Sequence, residues 1–226
     1  MRRMTKIDYY KMKCDCKKSE CPVFNKCCYL PTECHPDKEG NIELLFVGQG
    51  GGADERKRGR PFIGRAGQRL RNQIVSMMKH LNRHVGVAFS NTIRDNPDGN
   101  RVPSQEELDF CLEYLYKDIF LLMKRGLKVV IPLGNAAKKA LLPDSGAMGG
   151  DHGTLFSLKK EKFGEIAVIP TYHPSYVMRN FPRFNGEKLS SLDHTVITDM
   201  CKAYWVGEIN KTEKILDLDS ELDVTI

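Results

Sequence analysis

IELLFVGQGGGADERKRGRPFIGRAG, residues 42–67, decides the fold of this chain. Its first six residues form an apolar run, which predicts a buried strand. The glycines that follow permit close approach of the backbone to a ligand. Phe62 and Arg60 then place an aromatic ring and a guanidinium beside that turn. Exposed amides and an aromatic face at the carboxyl end of a strand suit a flat heterocycle on a phosphate chain.

A dinucleotide-binding fold is the first alternative, because Gly48 and Gly50 begin a G-x-G pattern whose third glycine position holds Ala53. That fold requires a helix directly after the glycines. Here a charged stretch, residues 55–58, and Pro61 intervene. The expected second strand with an acidic end is also missing. The sequence therefore disfavours this interpretation.

Short apolar runs alternate with helical patterns along the chain. Parallel strands are predicted at residues 43–47, 85–90, 128–132 and 165–170. Helices are predicted at residues 68–81, 104–124, 134–142 and 192–206, the second opening with a capping box at Ser104. We expect a three-layer α/β/α fold around a central, mainly parallel four-stranded sheet. Ligands of such sheets bind at the carboxyl ends of the strands.

Charge and composition limit the classes of function. The formal net charge is +6, although the segment after Gly207 is acidic, so the rest of the chain is more basic than the total. Basic residues crowd around the glycine loop, which favours a polyanionic ligand. No apolar stretch reaches the length of a membrane span or resembles a signal peptide. We therefore expect an intracellular protein that does not bind membranes.

Cysteines are concentrated near the N-terminus. Six of the eight lie between residues 14 and 34, and Cys111 and Cys201 are distant. Clustered cysteines in an intracellular chain indicate metal ligands more than disulfides. Four thiolates can hold zinc or an iron–sulfur cluster, and composition alone does not choose between them.

The motifs at the predicted strand ends resemble those of the uracil-DNA glycosylase superfamily, most closely the iron–sulfur-containing family 4. That family carries GE-x-PG-x-x-E and GRPFVG-x-AG, matched at residues 48–55 and 59–67. Its KCRPP-x-NR-x-P-x-x-E motif corresponds to the region after Asn91, through residues 100–106. Its last signature, PT-[YF]-HPSY, is complete at residues 170–176. The resemblance covers about residues 14–206 in the family's order.

This resemblance implies roles for individual residues. Phe62 would stack on a base flipped out of DNA, Asn91 would read its edge, and His173 would stabilise charge on its oxygen. Gly48 and Gly50 would complete the base pocket. The residues expected to contact DNA around it are Arg56, Lys57, Arg60, Arg65, Ser175, Tyr176 and Arg179. Tyr176, Met178 and Phe181 are candidates for a wedge in the duplex.

The chain departs from the family pattern at two positions. The family's first glutamate is Gln49 here, and an amide cannot carry a carboxylate's charge, so we expect catalysis to involve His173, Gln49 and Glu55. The family's third cluster cysteine is Asp95. The implied cofactor is a structural iron–sulfur cluster, [4Fe-4S] in preference to zinc. Its expected ligands are Cys16, Cys21, Cys28 and Cys111, with Cys14, Cys27, Cys34 and Asp95 as alternatives.

The resemblance predicts a monofunctional DNA N-glycosylase that removes uracil or a related damaged or modified base and leaves an abasic site. A catalytically weakened module that binds DNA or a protein is the alternative, because of Gln49. A third option is a metal-containing nucleotide-binding enzyme outside the superfamily. We expect a glycosylase-like domain at residues 1–206, an acidic tail at 207–226 that offers a protein-binding segment, and a monomer. The expected location is the cytoplasm, at the nucleoid or, for a viral protein, in the host.

Overall fold

The protein is described by a computed structural model at residues 10–12, 21–22, 30–36, 40–95, 97, 101–180 and 189–209. The strands are β1 (Tyr10–Lys11), β2 (Glu33–His35), β3 (Leu44–Gly48), β4 (Val87–Asn91), β5 (Val129–Pro132), β6 (Phe156–Lys160) and β7 (Gly164–Val168). The helices are α1 (Ala53–Arg58), α2 (Arg65–His80), α3 (Gln105–Met123), α4 (Gly134–Leu141), α5 (Met148–Asp151), α6 (Pro174–Asn180) and α7 (Ser191–Ile209).

One sheet joins all of these strands in the order β1-β2-β4-β3-β5-β7-β6. The four strands predicted from sequence are its centre, β4-β3-β5-β7, and they are mutually parallel. Three additional strands lie outside this centre. β2 pairs with β4, β1 pairs with β2 and β6 pairs with β7, each antiparallel. The sheet is therefore wider than predicted, while its parallel core is confirmed.

Alternate residues of the central strands enter two separate cores, as the two-residue repeat of a strand requires. On one face, Leu44 and Phe46 of β3 pack with apolar residues of α2 and α7. On the other face, Leu45 and Val47 pack with apolar residues of α3. Helices thus cover both faces of the sheet, and the predicted three-layer α/β/α fold is confirmed.

Helix α3 begins where the capping box predicts. The Ser104 hydroxyl accepts a hydrogen bond from the Glu107 N–H at 3.2 Å, and the Glu107 carboxylate accepts one from the Ser104 N–H at 2.7 Å. These bonds satisfy two of the amides that a helix start leaves without partners. Arg101 donates to the same carboxylate at 2.8 Å, which ties the segment before α3 to its first turn.

The glycine loop folds differently from the expectation. Helix α1 begins at Ala53, directly after the glycines, whereas the sequence predicted no helix before Pro61. The absence of such a helix was therefore a wrong argument against a dinucleotide fold. The three helices that the sequence did not predict, α1, α5 and α6, are no longer than seven residues, too short for helical periodicity to show.

Two further expectations concern the domain boundary and the segments beyond the described residues. The predicted domain boundary at residue 206 falls inside α7, which continues to Ile209. The acidic tail from residue 210 onward and the wedge candidate Phe181 lie outside the described residues. Among the helices that the structure does describe, none combines the length and the apolar character needed to cross a membrane.

Candidate active site

A cavity of about 690 Å³ lies at the carboxyl edge of the parallel sheet. Segments that follow β3, β4 and β5 line it, together with the segment after β7 and the start of α2. The predicted site residues in its lining are Gln49, Gly50, Glu55, Phe62, Arg65, Asn91, His173, Ser175 and Arg179. Residues more than a hundred positions apart therefore meet in one pocket of the size that small ligands occupy.

Phe62 is held in a backbone conformation that is unusual for a residue with a side chain. Its φ is 51°, in the left-handed region. Gly67 allows this arrangement, because a Cβ at that position would overlap the Phe62 backbone. The Phe62 carbonyl accepts a hydrogen bond from Arg71 Nε at 3.1 Å, and the ring packs on Phe89 with centroids 5.8 Å apart. The aromatic platform is fixed before any ligand arrives.

The Glu55 carboxylate holds the loop after Phe62. Its Oε1 accepts hydrogen bonds from the Ile63 N–H at 3.0 Å and the Gly64 N–H at 2.7 Å. The residue is buried, on the inner side of α1. Sequence reasoning nominated Glu55 for catalysis. In the structure, the Glu55 carboxylate binds the backbone amides that position the Phe62 ring. The residue also borders the cavity.

Asn91 lines the cavity beside Phe62, whereas Gly48 lies outside the lining, next to both side chains. Asn91 and Gly48 are the last residues of β4 and β3, and they are register partners in the parallel pair. A Cβ on Gly48 would lie 2.6 Å from Asn91 Oδ1 and 2.7 Å from Phe62 Cζ. Glycine is therefore required here so that the amide and the ring can approach each other. Asn91 is buried at 3% exposure and lines the cavity, so its amide can contact a group that enters there.

His173 is positioned by the backbone on both of its sides. Its Nδ1 accepts a hydrogen bond from the Ser175 N–H at 3.0 Å, so the neutral ring carries its proton on Nε2. The Cβ of His173 packs against Gly134, where an added Cβ would lie only 2.8 Å away and where φ is 79°. Burial lowers the pKa of His173 to about 4, and the nearby Arg179 guanidinium acts in the same direction. The site thus presents a neutral hydrogen-bond donor at neutral pH.

The depressed pKa of His173 predicts a signature in the pH dependence of stability. The unfolded chain protonates this imidazole near pH 6.5, whereas the folded chain does so near 4. Between these values the unfolded state binds more protons, so the contribution of His173 to the free energy of unfolding falls as pH falls. We expect wild type to lose stability relative to His173→Gln from pH 6.5 down to 4. Chemical denaturation of both proteins at each pH measures this difference. A difference that stays constant, or grows in favour of wild type, would contradict the assignment.

Gln49 and Asp54 are the exposed polar side chains on the α1 side of the cavity. The backbone carbonyl of Gln49 accepts hydrogen bonds from the Ile93 N–H at 2.8 Å and the Thr92 hydroxyl at 3.0 Å. These bonds fix the backbone of Gln49, and therefore the position from which its side chain extends. Asp54 precedes the anchored Glu55 and places an exposed carboxylate at the rim, a residue that the sequence analysis did not select.

The predicted DNA contacts separate into two groups. Arg65, Ser175 and Arg179 line the cavity, whereas Arg56, Lys57 and Tyr176 lie outside its lining. Arg60 has another partner: its guanidinium donates to the buried Glu33 carboxylate at 2.7 and 3.0 Å.

Glu33 also accepts from Arg71 at 2.9 Å and contacts His35 at 2.7 Å. Burial opposes ionisation of Glu33, but these partners together lower its pKa to about 2. This ion cluster fastens β2 to the segment around Phe62. It was missed because Glu33 lies in a region without periodicity. Arg101 was also missed as a site residue: it lines the cavity, and the only signal for it was its place in a matched motif.

The described cysteines fall into different environments. Cys21 and Cys111 share a small apolar cluster with Ile93, and burial raises the pKa of the Cys111 thiol to about 11, with Cys21 and Asp95 acting in the same direction. Cys34 instead packs in the core beneath α3. The structure thus brings together two predicted ligands and Asp95, and sets Cys34 apart.

The remaining candidate ligands, Cys14, Cys16, Cys27 and Cys28, lie outside the described residues. Within the part of the chain that is described, no group of three or more metal-binding side chains has the arrangement of a metal site. The two thiols are of the type that iron–sulfur clusters and zinc both use, so the donors present fit such a group only in part.

A neutral imidazole, a buried amide and a fixed aromatic ring converge at the carboxyl edge, which defines an α/β protein with a pocket for a planar heterocycle. The family model of the uracil DNA glycosylase superfamily matches residues 36–193. The chain belongs to this superfamily.

Curated relatives give the same result. The Type-4 uracil-DNA glycosylase of Pyrobaculum aerophilum is 35% identical over 157 residues, covering 66% of this chain and 75% of the relative. The Type-4 uracil-DNA glycosylase of Sulfurisphaera tokodaii is 32% identical over 157 residues, covering 67% of this chain and 66% of the relative. The Type-4 uracil-DNA glycosylase of Thermotoga maritima is 31% identical over 174 residues, covering 73% of this chain and 79% of the relative.

Proposed function

We propose that this protein is a monofunctional DNA glycosylase that excises uracil, or a closely related base, and leaves an abasic site. The observation that carries the proposal is the neutral His173 imidazole in a cavity shared with Asn91 and Phe62. The relatives described above are named as uracil-DNA glycosylases. They give no support to the alternative of a binding module without activity.

Base excision breaks the bond between N1 of the base and C1′ of the sugar. The electron pair of that bond leaves with the base, so negative charge develops on the base while the sugar becomes cationic. Water then adds to C1′ and loses a proton. A glycosylase must first move the nucleotide out of the stack so that these atoms become accessible.

Each pocket residue has a task in this reaction. Phe62 stacks on the face of the flipped base, and the Asn91 amide donates and accepts at its edge. His173 Nε2–H donates to the base oxygen where charge develops, a stabilisation that is strong in a dry cavity. A neutral donor supplies this hydrogen bond without the cost of burying the charge of an imidazolium.

Gln49 marks where this chain differs from its family. We propose that its amide orients the attacking water without removing a proton from it. The exposed Asp54 carboxylate lies at the same rim and can stabilise positive charge on the sugar. Arg65 and Arg179 at the mouth, with Arg56 and Lys57 of α1, would contact the phosphates on either side of the flipped nucleotide.

We further propose that Cys21 and Cys111 help to hold an iron–sulfur cluster, with Asp95 and the cysteines of the undescribed segments as the remaining donors. The cluster would supply no step of the reaction. It would connect the N-terminal segment to α3, the helix that carries Cys111.

The direct test is cleavage of an end-labelled oligonucleotide with one uracil, single- and double-stranded, after alkali treatment. We expect wild type to excise uracil, and Gln49→Glu to do so faster, by up to about 10²-fold, because a carboxylate can act as a general base. Asn72→Asp adds the same charge at an exposed position of α2 and should leave the rate unchanged. No excision of uracil or of deaminated and 5-substituted bases by either protein would overturn the proposal.

A further inference from the structure

We propose that His152, Tyr172 and Tyr176 form a stacking platform for an unpaired base next to the flipped nucleotide, so that the preferred substrate is single-stranded DNA. The inference deepens the proposed function, because it rests on DNA binding at the same cavity. It adds a second subsite and a preferred strand state.

The three rings form a continuous ladder. Tyr172 and Tyr176 stack with centroids 5.4 Å apart and planes 15° apart. His152 lies against Tyr172 at 4.9 Å, tilted by 37°. Tyr176 ends the ladder and is 41% exposed. Because Tyr172 covers one face of this ring, a further planar group would stack on the opposite face.

Polar contacts to the buried Asp199 hold the inner end of the ladder. His152 Nδ1 lies 3.2 Å from Asp199 Oδ2, and the same oxygen accepts a hydrogen bond from the Thr171 hydroxyl at 2.6 Å. Gly153, with φ 70°, lets the chain pass close to Asp199, where a Cβ would clash. Tyr172 packs against the core on the α7 side of the sheet. The ladder is therefore rigid, and a base that stacks on it does not have to order it.

The ladder lies beside the cavity. Tyr172 directly precedes His173, and Tyr176 is flanked on α6 by Ser175 and Arg179, both of which line the cavity. Arg179 is exposed one helical turn after Tyr176, and the exposed Lys202 lies near the His152–Asp199 pair. Cations at both ends of an aromatic row are the combination that binds single-stranded nucleic acid, with stacking for bases and charge for phosphates.

The strand state follows from the geometry of stacking. In a duplex, the base next to the flipped nucleotide loses one stacking neighbour but stays paired with the opposite strand, so it must break that pair to move onto a ring outside the helix. An unpaired base in a single strand reaches the same ring without breaking a pair. Tyr176 could instead insert into a duplex as a wedge, but its stacking on Tyr172 favours a fixed platform.

The first test measures binding alone, by fluorescence anisotropy of a labelled oligothymidine that contains no uracil. We expect Tyr176→Ala to weaken binding roughly 5- to 150-fold, the range that loss of one stacked base gives. Tyr176→Phe keeps the ring and should bind as wild type does. Trp205→Ala is the matched control: Trp205 is 55% exposed, near the end of α7 that approaches Lys128 at the amino end of β5. Equal affinities of Tyr176→Ala and wild type would overturn the platform.

The second test places 2-aminopurine, whose fluorescence falls on stacking, one nucleotide to either side of uracil. We expect quenching by wild type on one side in a single strand, and little in Tyr176→Ala. The ratio of single- to double-strand excision should fall in the same variant. An unchanged ratio with unchanged quenching would contradict the proposal. Since oligothymidine binding does not depend on excision, loss of the proposed activity and loss of the platform give different results.

Discussion

His173→Ala is expected to slow uracil excision by about 10²- to 10³-fold, the loss that follows removal of one donor to a developing negative charge. Affinity for uracil-free single-stranded DNA should stay within about twofold, because the imidazole faces the cavity and not the phosphates. Single-turnover excision and anisotropy binding, measured on the same preparations, separate the two quantities. Equal losses in both would show that His173 acts in general binding.

Two further variants sharpen this result. His173→Gln can place an amide N–H in the pocket and should retain more activity than His173→Ala. His80→Ala removes an exposed histidine at the last residue of α2, far from the helix start that borders the cavity, and should leave excision unchanged. The pH profile provides another criterion: with a pKa of about 4, His173 should not titrate in the rate between pH 5 and 8. A rate that depends on a group near pH 6.5, and loses that dependence in His173→Gln, would contradict the neutral donor.

Gly48→Ala should have the second large effect, although it adds a single methyl group. The new Cβ would lie 2.6 Å from Asn91 Oδ1 and 2.7 Å from Phe62 Cζ, so at least one of them must move. Overpacking of this kind costs roughly 1–3 kcal/mol of stability. Misplacement of recognition groups by an ångström can cost about 10² in rate. We therefore expect a fold that persists and excision that falls about 100-fold or more.

Gly149→Ala is the matched control, because a Cβ at that position has no neighbour within 4 Å. Its excision rate and unfolding temperature should remain close to those of wild type. Denaturation and single-turnover excision of both variants decide between a local and a global effect. If Gly48→Ala excised uracil at the wild-type rate, Phe62 and Asn91 would not form the base pocket.

The motifs at the strand ends show how much a sequence pattern predicts. These motifs placed Phe62, Asn91 and His173 after different strands, and the structure brings all three to one cavity. The motifs gave no information on where each side chain points. Glu55 illustrates this, because its carboxylate bonds to two backbone amides of the neighbouring loop. Arg60 is a second example, because it was predicted to contact DNA but binds Glu33, which lies 27 residues earlier in the chain.

The sequence by itself determined the parallel centre of the sheet, the layers of helices and the capping box at Ser104. These features depend on local periodicity and on residues three or four positions apart, which a sequence displays directly. The tertiary structure alone decided the proton position on His173, the separation of Cys34 from Cys111, and the alignment of His152 with Tyr172 and Tyr176. Each of these depends on side-chain direction or on contacts between distant segments, and no local pattern encodes them.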